Sequence, residues 1–158
     1  MRWPIAALLC ALSCPALGVM QTNIGTLTCT LAESGEEVAA PPSQQRAMIC
    51  SFKPSGLGPE ESYSGEIMKV GSTTELDGKL VLIWAVMGPS ETALAPGLLE
   101  QSYVGDLSSS IDGKPQRPKM LVGDKDANYG LRPMTDDSSE NAAGNITVVT
   151  LKVKSIPT

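Results

Sequence analysis

Apolar and polar side chains alternate along much of the chain. In segment 22–31, Leu27, Cys29 and Leu31 alternate with Thr26, Thr28 and Thr30. In segment 46–53, Met48, Cys50 and Phe52 alternate with Ile49, Ser51 and Lys53. A period of two sends successive side chains to opposite faces of an extended backbone. Both segments are therefore predicted strands with one inward face. Further strands are predicted over 62–70, 79–87, 102–105, 119–122, 128–134 and 145–154. Segment 79–87 reads Lys-Leu-Val-Leu-Ile-Trp-Ala-Val-Met, apolar on both faces, and is expected to be a buried central strand. In the last segment Ile146, Val148, Thr150 and Lys152 fall on one face, and Val149, Leu151 and Val153 on the other.

Turn chemistry separates these runs. Pro41-Pro42-Ser43, the Pro-Ser-Gly-Leu-Gly-Pro run 54–59 and Gly88-Pro89-Ser90 are breakers. Asp77-Gly78 is a hairpin signal between the third and fourth strands. Residues 91–99, around Pro96, are the one stretch suited to a short helical turn. Segment 108–118 is polar and punctuated by Gly and Pro, and 135–144 reads as a long polar loop. About eight short strands without an internal repeat predict an all-β fold, a small antiparallel sandwich or barrel.

The N-terminus follows a different pattern. Arg2 precedes an apolar run over 3–12, broken only by Pro4, and Ala16-Leu17-Gly18 has the small-x-small form of a cleavage site. Residues 1–18 are expected to be a signal peptide and 19–158 a single β domain, periplasmic or secreted. The apolar run is about ten residues where a spanning helix needs roughly 20, so no transmembrane segment is expected. Lipidation of Cys14 is the alternative. Against it, Ala11 and Leu12 stand in the wrong order for a lipoprotein signal and Pro15 follows the cysteine.

Removal of residues 1–18 leaves two cysteines, Cys29 and Cys50. An even count in an exported chain implies a disulfide, and each cysteine shares a face with large apolar residues. The bridge would close a loop of about 22 residues, worth roughly 3 kcal/mol in the chain-entropy picture. There is no C-x-x-C spacing to favour a redox role.

Composition narrows the chemistry. At 42% hydrophobic and 18% charged residues the chain belongs with globular proteins, not disordered ones. The absence of histidine removes the commonest general base and the commonest zinc ligand. The net charge of −5 becomes −6 when Arg2 is lost, since every acid lies downstream. That sign argues against nucleic acid and anionic membranes and would suit a basic protein partner; solubility is its plainer explanation.

Five stretches in order resemble an exported proteobacterial family known as domain of unknown function 992. They are Gly25-x-Leu27-x-Cys29, Cys50-x-Phe52, Tyr63-x-Gly65, Leu82-x-Trp84-Ala85-Val86 and Tyr103-Val104-Gly105. The chain departs from the family pattern in a longer, more acidic segment between the cysteines. It also departs in the polar Ser108-Ser109-Ser110 and Gly113-Lys114-Pro115, where a Gly-rich strand is expected. The resemblance implies a periplasmic home and a compact β fold, and carries no activity.

Candidate sites are few. Asp124-x-Asp126-x-Asn128 has the spacing of the first calcium-loop ligands, but Tyr129 stands where glycine is needed and Thr135 where a bidentate Glu is needed. It reads as a hairpin turn. Asn145-Ile146-Thr147 fits a glycosylation sequon and reads as a strand start. Trp84 is expected in the core, and Tyr63 and Tyr103 are expected to pack over Gly65 and Gly105 or to offer aromatic contacts. Ser110 and Lys114 have no dyad spacing, and Glu60-Glu61 and Asp136-Asp137 read as adjacent loop acids. No catalytic residue, metal ligand or cofactor is assigned. The leading expectation is a non-enzymatic secreted or periplasmic module for binding or envelope association. One alternative is an acidic inhibitor of a basic partner such as a lysozyme-like enzyme, presenting Ser55-Gly56, Glu60 and Glu61. The other is a hydrolase with an unrecognised site.

Overall fold

The alternation closes on itself. Strand β1 (Gln21–Leu31) pairs antiparallel with β2 (Arg46–Pro54) along one edge and with β4 (Val81–Pro89) along the other. Leu27 thereby stands between Phe52 and Trp84, and Cys29 between Cys50 and Leu82. The remaining wall is built by β3 (Glu61–Val70), β5 (Gln101–Gly105), β8 (Leu121–Gly123), β9 (Gly130–Pro133) and β10 (Val148–Ser155). The order around the closed eight-stranded barrel is β1-β2-β3-β10-β5-β8-β9-β4. Two short strands, β6 (Ser110–Ile111) and β7 (Lys114–Pro115), pair with each other outside it. This computed structural model describes residues 21–31, 46–70, 81–90, 93–105, 110–111, 114–115, 118–134 and 148–156.

The all-β expectation holds, and of sandwich and barrel it is the barrel. Closure leaves the main sheet without an edge strand. The inward face of each strand supplies the core, with Leu27, Ile67, Val86, Leu121, Leu131 and Leu151 wholly buried. Burial of such a side chain contributes about 1.5–3 kcal/mol. The Cys29–Cys50 disulfide joins direct cross-strand partners inside this core.

Several local expectations are corrected. Segment 79–87 is buried on its second face only in part, because on the outer row of β4 Val81 and Ile83 remain 42% and 37% exposed while Ala85 is buried. A barrel covers only its inner face, and no helix packs outside among the described residues. The hairpin expected at Asp77-Gly78 does not join its flanking strands. Strand β10 occupies the free edge of β3, and β1 occupies that of β4; Asp77 and Gly78 themselves lie outside the described residues. The helical turn expected over 91–99 is instead a pair of overlapping turns, in which Leu98 N donates to Ala95 O (3.2 Å) and Glu100 N to Gly97 O (3.0 Å). Gly97 takes φ +77°, a conformation that stops a helix and suits glycine.

Strand β10 also departs from simple alternation. Register shifts on either side of Thr150 bring Val148 into the core together with Leu151 and Val153. An irregularity of one residue reverses the facing of everything before it. The β6–β7 pair was not anticipated from segment 108–118. Its signal is Asp112-Gly113, two residues of hairpin type between the paired positions Ile111 and Lys114.

Candidate functional site

The mouth of the barrel where β2 passes to β3 is shaped by a bulge in β1. The register against β4 shifts between Asn23 and Gly25, and the Asn23 side chain accepts the Gly25 N–H at 3.0 Å. The displaced Ile24 carbonyl then accepts from Ser55 N at 3.0 Å, and Ser55 Oγ donates to Asn23 O at 3.3 Å. These bonds fix the turn after β2. On the opposite rim the double turn around Gly97 is held to β10, where Ser155 N donates to Glu100 Oε2 at 3.1 Å and Ser155 Oγ donates to the same oxygen. Those two bonds hold the Glu100 carboxyl below its usual range.

Between the two rims lies a pocket of about 380 Å³. Phe52, Pro54, Leu57 and Pro59 line one side, and Leu94 and Leu98 the other. Phe52 is buried, Leu98 packs on the core, and Leu57 stands fully exposed at the lip. Glu61 is the one charged residue of this lining. Glu61 is the direct partner of Phe52 across β2 and β3, and it shares the inward parity of Tyr63, Gly65 and Ile67. The Tyr63 hydroxyl donates to its Oε2. Glu60 accepts instead from Ser51 Oγ and is exposed. The two acids read as one loop pair therefore have separate partners, and Glu61 opens β3.

Two tyrosines support the mouth from below. Tyr63 and Tyr103 are buried, so neither is an exposed aromatic contact. Tyr103 OH donates to Leu99 O at 3.1 Å. Gly65 does not receive a tyrosine ring; a Cβ there would lie 2.8 Å from Cys50 Sγ, so it makes room for the disulfide. At Gly105 the crowding comes from Pro118 and Leu121. Burial, with Glu61 adding to it, pushes the Tyr63 hydroxyl above the ordinary tyrosine value, and burial pushes Tyr103 up to about 12. Both protons are thus held more tightly in the folded chain than in the unfolded one. Stability present below pH 10 should fall as pH rises from 10 towards 12, by up to about 1.4 kcal/mol per pH unit for each tyrosine. In an alkaline titration, tyrosinate absorbance from these two residues should appear only with loss of the barrel's circular dichroism. Their ionisation while the spectrum stays native would refute this.

The other sequence candidates fall elsewhere. Asp124, Asp126 and Asn128 build the β8–β9 turn. Asp124 Oδ1 accepts from Ser102 N at 3.1 Å, and Asp126 Oδ1 accepts from Asn128 N at 3.0 Å. Gln101, buried, holds the turn from within: its Oε1 accepts from Lys125 N (3.1 Å) and Asp126 N (2.9 Å). Trp84 is in the core. Residues 1–18 with Cys14, Asn145-Ile146-Thr147 and Asp136-Asp137 lie outside the described residues. Ser110 and Lys114 belong to β6 and β7. No group of histidine, cysteine, aspartate and glutamate side chains able to hold a metal occurs among the described residues, and no described helix is long and apolar enough to cross a membrane.

The mouth pocket was not anticipated. Its signal was the parity of Glu61, two residues before Tyr63 on the inward row, obscured by the Pro59 that precedes the strand.

The fold and the disulfide define a closed eight-stranded antiparallel barrel with a single bridge between adjacent wall strands. The family model described as protein of unknown function, DUF992, matches residues 10–154. The chain belongs to that family, as the five short stretches implied. No curated protein and no solved structure matches the chain.

Proposed function

We propose that this protein is a non-enzymatic binding module of the periplasm or secreted fraction, exported by way of residues 1–18, and that it holds its ligand in the mouth pocket. One observation carries the reading: a cavity in the small-ligand size range whose side chains are mostly apolar, with polar backbone between them and Glu61 as its one charged residue. Such a site binds by apolar burial and orients by its single carboxylate. The absence of histidine and the use of Asp124 and Asp126 as acceptors that hold a turn favour binding over catalysis.

Native mass spectrometry of the chain recovered from its own cell envelope tests this. The expected species is the chain cleaved after Gly18 and carrying a dissociable adduct. The adduct should be missing from an Ala95→Trp variant, in which an exposed lining residue fills the cavity. An uncleaved cytosolic chain would overturn the export reading, and an adduct unaffected by Ala95→Trp would overturn the placement of the site.

A further inference from the structure

The charge and shape of the mouth pocket specify what it accepts. Its side chains offer aliphatic carbon on both walls, the Phe52 ring on one, and a single charged residue, Glu61. Glu61 Oε2 accepts from Tyr63, and among the described residues no lysine or arginine forms an ion pair with this carboxylate. Covering it with a neutral apolar ligand would strip water from a charge without replacing it, which is costly. An anionic ligand would add like-charge repulsion from Glu61 and from the neighbouring Glu60, while Glu100 is offset by Lys125 and Lys154. A cation placed on the carboxylate offsets the lost hydration by a charge-assisted hydrogen bond. The charge of the processed chain, −6 after loss of Arg2, draws such a ligand in.

We propose that the pocket binds a small organic amine, with its apolar body between Leu57, Phe52 and Leu98 and its ammonium on Glu61. This rests on the binding reading above and adds the ligand class. Buried Tyr63 retains its proton across the physiological range, so it always donates to Glu61, leaving that carboxylate an acceptor for the incoming N–H.

The test uses three probes of one shape and different charge: 2-phenylethylamine, 2-phenylethanol and phenylacetate. Each is titrated into the processed, disulfide-bonded protein and followed by calorimetry and amide chemical shifts. The amine is expected to bind at least about tenfold more tightly than the alcohol, with the acid weakest, and to perturb the amides of Phe52, Leu57 and Leu98. Glu61→Gln keeps an acceptor for Tyr63 and should abolish the amine's preference while leaving alcohol binding in place. Ala95→Lys, which supplies a tethered ammonium from the pocket wall, should suppress amine binding without touching Glu61. Equal binding of amine, alcohol and acid at these residues would overturn the cation assignment and leave the binding reading standing. No perturbation of the pocket by any probe would count against both.

Discussion

Replacing Cys29 and Cys50 together by alanine is expected to lower the unfolding free energy by about 3 kcal/mol and the melting midpoint by roughly 10 °C. The two residues are direct partners across β1 and β2, twenty-one positions apart, and both sulfurs are enclosed in the core. The bridge restricts the unfolded chain over a loop that includes the whole connection between the first two strands. Each alanine also leaves a sulfur-sized gap beside Leu82 and Tyr63, whose cost adds to the entropy term. Urea unfolding monitored through buried Trp84 would measure the loss. An unchanged midpoint would mean that the β1–β2 ladder is already ordered in the unfolded ensemble. Because both cysteines are buried, reductant should act only when the barrel opens, so reduction of the native protein should proceed at the rate of opening.

A single added side chain at Gly123 should be nearly as damaging. Gly123 is the partner of Tyr103 in the β5–β8 ladder, and its N–H donates to Tyr129 O at 3.0 Å. A Cβ there would lie 2.6 Å from Asp126 O and 2.6 Å from Gln101 Cδ. The Gln101 side chain could withdraw only by releasing the Lys125 and Asp126 amides, and the Asp126 carbonyl is fixed by the turn it closes. Overpacking and the loss of one acceptor shared by two backbone amides together put Gly123→Val at about 3 kcal/mol destabilising. Gln101→Leu separates the two causes, since it removes the acceptor without crowding and should cost about 1–3 kcal/mol. A loss below about 1 kcal/mol for Gly123→Val would show that the β8–β9 turn moves outward freely.

What was legible in the sequence was local. Alternation around Cys29 and Cys50 placed both sulfurs inward, because a period of two needs no knowledge of the partner strand; their register came only with the structure. Turn chemistry marked the connection after β2 correctly. Pairing between distant strands was not legible. Asp77-Gly78 resembles a hairpin locally, yet neither flanking edge was available, since β10 and β1 had taken them. The doubly apolar run 79–87 likewise suggested cover on both faces, whereas the outer face is covered only at Ala85 and open at Val81 and Ile83. The pocket was hidden for a related reason. Its walls come from the end of β2, the turn at 57–59, the start of β3 and residues 93–98, which become neighbours only when the barrel closes.

The position of β10 bears on when the chain can fold. This strand, at 148–155, stands between β3 and β5, so both of those lack a neighbour until it is present. A ribosome that has made everything through β9 holds a wall with a missing stave, and the two ladders that seal it span long stretches of sequence. Such ladders form late and slowly, because loop closure must precede their contacts. The barrel is therefore a post-translational structure. Until the last stave emerges, the edges of β3 and β5 that it joins stay unpaired and the barrel cannot close.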